Sequence, residues 1–266
     1  MNDPRLITSL TNDTVKAVRA LHMRKEREAT GRFLAEGLKF IGEALDQGRA
    51  PKMLLVGLDA RAHPLLERAK AETVRAGGEV VTVTHPILEK ISRKENPQTV
   101  LGVFEQAYAP LENLKPGAAP CWIALERVRD PGNLGTIIRT ADSAGCGGVI
   151  LIDDCVDPFS VEAVRATMGS VFAVSITRTT SEGFLEWRKG WPGSVVGTRL
   201  DASTGYRNAT YAPPTLILMG NEQAGLTDPL AATCDINVKI PMRGRADSLN
   251  LAVATGIMAY AVTEKP

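Results

Sequence analysis

Along the first hundred residues, hydrophobic positions at helical spacing alternate with hydrophobic positions at strand spacing. Val15, Val18 and Leu21 recur at helical spacing, on one face of a helix that Thr11 or Asn12 would cap. The same kind of pattern predicts the helices and strands that follow. The helices are one after Gly37 and two at 65–76 and 86–92; the strands are 53–56, 79–84 and 99–105. Interleaved elements of this kind predict a small α/β domain.

In the second half of the chain the predicted strands are almost wholly apolar, which is typical of parallel strands buried on both faces. These strands are 122–125, 149–152, 173–176, 195–198, 215–219 and 236–240. Helices are predicted between and after them at 134–144, 160–168, 181–188, 228–233 and 248–262. The alternation predicts a doubly wound α/β domain. A stretch rich in Pro, Ala and Gly, residues 107–119, is interpreted as the linker between a domain of residues 1–106 and one of residues 120–266.

Composition places the chain among ordinary globular proteins. It has 266 residues, of which 44% are hydrophobic and 23% are charged. No apolar run approaches the length that spans a bilayer, and the first sixteen residues have no basic-then-apolar signal pattern. We therefore expect a cytoplasmic protein.

The metal-binding residue types are few and scattered. The four cysteines, Cys121, Cys146, Cys155 and Cys234, form no CxxC pair, and there are only three histidines. We expect the cysteines to be free core or loop residues, and we expect neither a metal site nor a disulfide framework.

Positive charge is concentrated near the N-terminus, although the net charge is only +1. Six basic residues and two acidic ones occur from Lys16 to Arg32, and such density is typical of a phosphate-binding surface. The candidate phosphate contacts are Lys16, Arg19, Arg24, Lys25, Arg27 and Arg32. A solvated helix surface is the alternative interpretation. Phe33 and Phe40 are predicted core residues, so the segment offers no aromatic platform for single-stranded bases.

The first segment that suggests chemistry is RDPGNLGTIIRTADSAG at 129–145, directly after a predicted strand. Its Pro131, Gly132, Asn133 and Gly135 predict a tight loop whose backbone approaches a ligand closely. Arg139, six residues after Asn133, is expected to return to the mouth of this loop. The glycine spacing matches neither GxGxxG nor a P-loop.

Two further segments follow strands near the C-terminus. In LILMGNEQAGL, residues 216–226, Glu222 comes just after a strand, where open α/β sheets bind ligands; its alternative role is a local cap for backbone amides. In IPMRGRADSLNLAVATGIMAY, residues 240–260, a helix of small and apolar residues begins. One residue among Asp247, Ser248 and Asn250 is expected to cap that helix, whose free amides could face a polar ligand.

In their order and spacing, these three segments resemble the signature motifs of the SpoU/TrmH family of the SPOUT methyltransferase superfamily. The resemblance covers the C-terminal domain and includes VEAVRATMGSVF at 161–172. The segments RKEREATGRFLAEGLKFIGEAL at 24–45 and ENPQTVLGVFE at 95–105 resemble the L30e-like substrate-binding domain of many members.

The resemblance implies an α/β fold with a C-terminal trefoil-knotted methyltransferase domain and a small L30e-like domain before it. It implies S-adenosylmethionine as cofactor, a homodimer formed by the C-terminal domain, and methylation of a ribose 2′-hydroxyl in structured RNA, with ribosomal RNA favoured over transfer RNA. The implied catalytic set is Asn133, Arg139, Glu222, Ser248 and Asn250. The implied cofactor-binding set is Leu218, Met219, Gly220, Ile240, Met242 and Leu249.

Activating the weakly acidic 2′-hydroxyl is the difficult step of such a reaction. No histidine occurs in residues 120–266, so this domain offers no imidazole base. Guanidinium groups stay protonated in proteins, so we expect Arg139 to hold an RNA phosphate and stabilise the developing oxyanion, with phosphate or water accepting the proton. Ser248 and Asn250 would orient the ribose or Arg139, and Glu222 would fix the loop or Arg139.

Other functions remain open at the level of the sequence. A base methyltransferase of the same superfamily would share the fold and the cofactor. A non-catalytic RNA-binding protein would not need every polar position of the three motifs filled. A nicotinamide-dependent dehydrogenase would need the GxGxxG turn that this sequence lacks. Which RNA and which nucleotide are modified is not encoded in any of these motifs.

Overall fold

The computed structural model describes residues 5–264, which form two compact units. The first unit contains residues 5–106 and 159–173, and the second contains residues 107–158 and 174–264. Residues 1–4 and 265–266 lie outside the described residues. They are the ends of the two predicted domains, and residues 1–4 also begin the segment in which no signal pattern was found. Residues 159–173 thus belong to the first unit, although the sequence predicted them as part of the C-terminal domain.

The first unit is built on a five-stranded mixed sheet with the order β1-β4-β3-β5-β2. Strands β1, β4 and β3 are parallel, while β5 is antiparallel to both of its neighbours. The strands are β1 (Arg5–Ile7), β2 (Arg32–Glu36), β3 (Met53–Gly57), β4 (Glu79–Val83) and β5 (Val100–Glu105). The helices are α1 (Asp13–Ala20), α2 (Arg24–Thr30), α3 (Leu38–Asp46), α4 (Pro64–Arg75) and α5 (His85–Ser92).

The predicted amphipathic helix is confirmed as α1. Val15, Val18 and Leu21 are buried, and the side chain of Asn12 caps the helix by accepting a hydrogen bond from the Thr14 amide at 2.9 Å. Helix α2 was not predicted, because RKEREAT offers no apolar periodicity, and the short strands β1 and β2 were not predicted either.

One candidate phosphate contact, Arg27, is a buried residue of α2. Its side chain is 3% exposed, and Nη1 donates a hydrogen bond of 2.8 Å to the carbonyl oxygen of Leu21. A guanidinium held inside the unit by a backbone carbonyl does not reach a phosphate in solvent, so the prediction that Arg27 binds RNA is wrong for this structure. Charge density alone could not distinguish this buried cation from its exposed neighbours.

The second unit contains a seven-stranded, wholly parallel sheet with the order β10-β12-β9-β11-β6-β7-β8. The strands are β6 (Cys121–Glu126), β7 (Gly148–Ile152), β8 (Ser175–Thr179), β9 (Val195–Thr198), β10 (Thr204–Gly205), β11 (Thr215–Met219) and β12 (Ile236–Lys239). The helices in this part of the chain are α6 (Pro131–Ser143), α7 (Val161–Thr167), α8 (Ser181–Arg188), α9 (Asp228–Ala232) and α10 (Leu251–Thr263), of which α7 belongs to the first unit. The parallel sheet expected from the apolar strands is present, and β10 is the strand that the pattern missed.

Aromatic packing and ion pairs explain why α7 belongs to the first unit. Phe159 and Phe172 flank α7, and their rings lie 4.8 Å and 5.8 Å from the ring of Phe33 on β2. Arg165 on α7 forms ion pairs with the buried carboxylate of Glu36 at distances down to 2.6 Å. Apolar burial and a desolvated ion pair together outweigh the proximity of α7 in sequence to the second sheet.

All four cysteines are free, and Cys121 and Cys155 are buried. Within residues 5–264, no three His, Cys, Asp or Glu side chains are grouped as a metal site would require. None of the helices in the same range combines the length and the hydrophobicity needed to cross a membrane.

Candidate active site

The first wall of the site is the turn that follows β11, at the carboxyl edge of the parallel sheet. Asn221 and Gly225 exchange two backbone hydrogen bonds of 2.9 and 3.1 Å. The side chain of Asn221 accepts hydrogen bonds from the amides of Gln223 and Ala224, so Asn221, and not Glu222, caps this turn. Gly225 has a φ of +67°, which favours glycine because a Cβ is disfavoured there.

Gly220 is the most tightly enclosed residue of this turn. A Cβ at this position would lie 2.0 Å from the carbonyl carbon of Gly225 and 2.1 Å from the nitrogen of Leu226. Because both of these atoms belong to the backbone, no side-chain rotation could relieve the clash. The turn therefore depends on glycine for its shape.

The N-termini of α6 and α10 lie beside this turn. Pro131, Gly132, Asn133 and Gly135 were predicted to form a loop, but they lie in the first turns of α6, because Asp130 caps the helix by accepting from the Asn133 amide at 2.6 Å. Proline is favoured in a first helical turn, where its missing N–H costs nothing.

Asn250 caps α10, which settles the choice left open among Asp247, Ser248 and Asn250. Its Oδ1 accepts hydrogen bonds from the amides of Ala252 at 2.9 Å and Val253 at 3.3 Å. The hydroxyl of Ser248 donates to Asp247 at 3.3 Å and stays exposed. Asn250 is thus free to use its amide nitrogen elsewhere.

A chain of side-chain hydrogen bonds joins the three sequence motifs. Nδ2 of Asn250 donates to Oδ1 of Asn133 at 2.8 Å, and Nδ2 of Asn133 donates to Oε1 of Glu222 at 3.1 Å. The chain fixes the orientation of both amides, because each donates to one partner and accepts from another. Three segments up to 117 residues apart are therefore one constellation.

Beside this constellation lies a cavity of about 330 Å³. Its wall includes five of the six residues expected to bind a cofactor, together with two of the expected catalytic set. These residues are Met219, Gly220, Ile240, Met242, Leu249, Glu222 and Ser248. Leu218 does not line the cavity: it is fully buried in the core of the second unit, since alternate residues of a strand face opposite sides of the sheet.

The cavity wall also contains an ion pair that the sequence patterns did not predict, formed by Arg199 and Asp201 just after β9. Two hydrogen bonds of 2.9 Å join the guanidinium to the carboxylate, and they hold the pKa of Asp201 below its usual range. Polar residues directly after an apolar strand were the signal that could have found them, because ligands bind at the carboxyl edge of such sheets.

Arg139 stands apart from the constellation within one chain. Its side chain is exposed and is not part of the cavity wall, and among residues 5–264 no hydrogen bond or ion pair to its guanidinium is found. Six residues along a helix correspond to a rise of about 9 Å and a rotation of about 240° beyond one full turn, so Asn133 and Arg139 face different directions. Within one chain Arg139 thus contacts neither Asn133 nor the cavity wall, and its expected place at the mouth of the loop stays a prediction.

The remaining candidate phosphate contacts occupy the surface of the first unit. Lys16, Arg24, Lys25 and Arg32 are exposed, whereas Arg19 is half-buried. Lys16 pairs with Asp13 at 2.9 Å and Arg24 pairs with Glu28 at 2.8 Å, and such exposed pairs are weak enough for a phosphate to displace the carboxylate.

Comparison with known proteins matches both halves of the chain. Residues 120–260 match the model of the SpoU rRNA Methylase family, and residues 12–102 match that of the MRM3-like substrate binding domain. A Bacillus subtilis (strain 168) relative, the 23S rRNA (guanosine(2553)-2′-O)-methyltransferase RlmP, is 33% identical over 96% of this chain and 97% of its own.

Two further proteins are similar over nearly the same span. The 23S rRNA (uridine(2479)-2′-O)-methyltransferase of Streptomyces viridochromogenes is 31% identical over 91% of this chain and 86% of its own. The crystal structure of an AdoMet-bound rRNA methyltransferase from Sinorhizobium meliloti superimposes with a TM-score of 0.92, at 48% identity, over 98% of this chain and 97% of that one.

Proposed function

Because this chain belongs to the SpoU rRNA methylase family, we propose that it transfers a methyl group from S-adenosylmethionine to a ribose 2′-hydroxyl of ribosomal RNA. The observation that carries the proposal is the hydrogen-bond chain Asn250–Asn133–Glu222 beside a cavity at the carboxyl ends of parallel strands. Full-length relatives named as rRNA 2′-O-methyltransferases support the choice of ribose and of ribosomal RNA.

The cavity fits S-adenosylmethionine in size and chemistry. Its volume of about 330 Å³ falls within the usual range of small-molecule sites, about 300–1,000 Å³. Gly220 and the turn after it line the cavity and would offer backbone groups to the cofactor, while Met219, Ile240 and Met242 provide an apolar wall. When bound, S-adenosylmethionine supplies an electrophilic methyl group on a sulfonium. An apolar wall with pre-positioned polar groups favours the dispersal of charge in methyl transfer.

We assign the polar residues to positioning and electrostatics. Asn133 and Asn250 hold the two helix N-termini at the cavity, and Glu222 fixes Asn133 through its carboxylate. Ser248, whose hydroxyl is exposed in the cavity wall, would orient the ribose. Arg139 would bind the RNA phosphate and stabilise the developing oxyanion, with phosphate or water accepting the proton.

A homodimer formed by the second unit would complete this site. Helix α10 exposes two large apolar side chains seven residues apart on one face, Val253 at 52% and Tyr260 at 42%. Burying them against a second copy would remove apolar surface from water. The variant Val253→Asp should sediment as a monomer, and the control Val74→Asp, which changes a still more exposed valine of α4, should not change the sedimentation coefficient. A Val253→Asp protein that sediments like wild type would contradict this interface.

The resemblance also implies a deep trefoil knot. The chain path supports it: β12 lies beside β9, yet the following helix α10 packs on α6 and contacts β11 and β6 in the middle of the sheet. An experimental structure whose backbone trace contains no knot would contradict this proposal.

Residues 1–106 would form an L30e-like domain that binds folded ribosomal RNA, joined through residues 107–119 to a methyltransferase domain of residues 120–266, of which residues 159–173 pack in the first unit. The match of the L30e-like domain to the MRM3-like substrate binding domain and its exposed basic residues support this role. An enzyme with this substrate would act where ribosomes are assembled, so we also propose a cytoplasmic location.

Nucleoside analysis tests the proposed function. Ribosomal RNA from a strain lacking the gene is incubated with the protein and S-adenosylmethionine, digested to nucleosides, and analysed by mass spectrometry. One new 2′-O-methylated nucleoside is expected, together with no product from transfer RNA of the same strain. A methyl group on the base would instead favour a base methyltransferase of the same superfamily, and methylated transfer RNA would contradict the choice of substrate.

A further inference from the structure

The arginines of the second unit fall into two groups. Of the nine arginines at positions 107–158 and 174–264, six contact a carboxylate or an aromatic ring. These are Arg127, Arg129, Arg178, Arg188, Arg199 and Arg207. Among the described residues of the second unit, the remaining three, Arg139, Arg243 and Arg245, have guanidinium groups without such a partner.

Arg243 and Arg245 lie in the segment that connects β12 to α10. This segment, residues 240–250, contributes Ile240, Met242, Ser248 and Leu249 to the cavity wall. Both arginines are exposed, and a Cβ at the intervening Gly244 would meet no atom within 4 Å, so this part of the segment faces open solvent. Two unpaired, solvent-exposed cations therefore lie next to the site where the cofactor would bind.

Nothing in the fold explains these two cations. Asp247 is the acidic residue of the same segment, and it accepts a hydrogen bond from Ser248, while neither arginine is paired with it. Neither guanidinium packs on an aromatic ring within residues 5–264. Exposed arginines that do not stabilise their own chain are available to an anionic partner, and a planar guanidinium matches the geometry of a phosphate.

We infer that Arg243 and Arg245 bind the backbone phosphates that flank the reacting nucleotide and thereby hold its ribose at the cofactor cavity. This inference rests on the proposed function and names two positioning residues for it. The two arginines are two positions apart, at most about 7 Å between Cα atoms, so both can reach the same stretch of one RNA strand. Phosphate contacts position a nucleic acid without reading its sequence, so recognition of the target would remain with the first unit.

The test measures RNA binding, methyl transfer and cofactor binding separately. The variants are R243Q/R245Q, the charge-conserving R243K/R245K, and the control K189Q, which removes an exposed cation just after the end of α8, outside the cavity wall. The RNA is ribosomal RNA from a strain lacking the gene. Its affinity is measured across a range of salt concentrations, and methyl transfer is followed with radiolabelled S-adenosylmethionine. Isothermal titration gives the affinity for the cofactor.

For R243Q/R245Q we expect the KM for RNA to rise about tenfold or more, with the Kd for S-adenosylmethionine and the thermal midpoint unchanged. The slope of log K against log salt should fall in magnitude by about 0.7–0.9 per lost phosphate contact. R243K/R245K should recover most of the salt slope, and K189Q should match wild type in every measurement.

Two results would overturn the inference. In one, R243Q/R245Q keeps the wild-type salt slope and KM. In the other, the variant loses affinity for S-adenosylmethionine while its salt slope is unchanged, which would assign the arginines to the cofactor. Wild-type protein that transfers no methyl group to ribosomal RNA, but whose RNA affinity still depends on Arg243 and Arg245, would contradict the proposed function and not the phosphate contacts.

Discussion

Asn250 and Asn133 are 117 residues apart in sequence, and the side-chain amide of Asn250 donates a 2.8 Å hydrogen bond to the side-chain oxygen of Asn133. The same Asn250 caps α10 through its oxygen, and Asn133 donates to Glu222 through its nitrogen. One bond thus connects the N-terminus of α6, the N-terminus of α10 and the turn after β11. The relationship suggests how to separate the capping function of an asparagine from its function in the site.

The variant Asn250→Asp should keep the helix cap and lose the bond to Asn133. An aspartate oxygen still accepts from the amides of Ala252 and Val253, but a carboxylate has no proton to donate to Asn133. We expect little change in thermal midpoint and at least a tenfold loss of methyl transfer. Asn250→Ala serves as the comparison, because it also removes the cap and should cost a further 1 kcal/mol or so of stability. Full activity in Asn250→Asp would show that the hydrogen-bond chain is dispensable.

Gly220→Ala should abolish binding of S-adenosylmethionine. The added Cβ would lie within 2.1 Å of two backbone atoms, so the turn after β11 must move, and this turn forms one wall of the cavity. The matched control is Gly244→Ala, where an added Cβ meets nothing within 4 Å. Isothermal titration measures both; wild-type affinity in Gly220→Ala would mean that the cofactor does not depend on this turn.

Arg139→Ala should slow methyl transfer without lowering stability. The side chain is exposed and, within residues 5–264, has no partner to lose on truncation. We expect kcat to fall by more than tenfold, about 1.4 kcal/mol of transition-state stabilisation, while the thermal midpoint stays within error. A smaller loss of kcat would show that Arg139 is not catalytic. Near wild-type activity in Arg139→Lys would exclude the need for a bidentate contact with phosphate.

Glu36→Gln should destabilise the first unit more than a surface substitution does. The Glu36 side chain is 3% exposed and binds Lys94 at 2.9 Å and Arg165 at 2.6 Å. Losing charge-assisted hydrogen bonds at such a position costs about 1.5–3 kcal/mol. Glu105→Gln is the control: it changes an exposed pair with Lys52, worth about 0–1 kcal/mol. Urea unfolding measures both, and equal midpoints would refute the special role of Glu36.

His22 should make the stability of the first unit depend on pH. Burial lowers its pKa below the ordinary value of about 6.5, against the opposing effects of a 2.7 Å contact with the Ile91 carbonyl and of Glu36 and Glu162, while Arg93 adds to the lowering. The unfolded chain therefore binds a proton that the folded chain resists, so stability is complete above pH of about 6.5 and declines as pH falls toward the folded pKa.

Thermal unfolding of wild type and His22→Gln from pH 7.5 to 5.5 checks this prediction. Glutamine keeps a donor for the Ile91 carbonyl but does not titrate. The variant should lose less stability than wild type over this interval. Parallel pH profiles would assign the dependence to other groups.

Deleting residues 1–106 is a less clean test of the division of labour than the sequence suggests. The deletion would remove the partners of Phe159, Phe172 and Arg165, and so expose an apolar segment that the remaining chain contains. A loss of cofactor binding in the truncated protein would then have two explanations: the exposed apolar segment, or a role of residues 1–106 in cofactor binding. The point variants above avoid that problem.

Local patterns in the sequence determined most of the elements. The apolar strands of the second unit, the helix that buries Val15 and Val18, and the helix after Gly37 each depend on neighbouring residues whose period matches one kind of element. The pattern failed at α2, where RKEREAT has no apolar stripe, and at α6, whose capped first turn looked like a glycine loop. The family motifs indicated which residues to examine at the site, and five of the six cofactor candidates line the cavity.

Only the tertiary structure decided which side chains are buried, which way they face and which distant residues they contact. In the folded chain Arg27 is buried and donates to a backbone carbonyl, and Leu218 lies in the core. Arg139 is not part of the hydrogen-bond chain of Asn133, Glu222 and Asn250. The tertiary structure also gave α7 to the first unit through Phe159 and Arg165. The physical reason is that spacing along the chain fixes local periodicity, whereas burial, charge pairing and the direction of a side chain depend on contacts between segments that the sequence alone does not bring together.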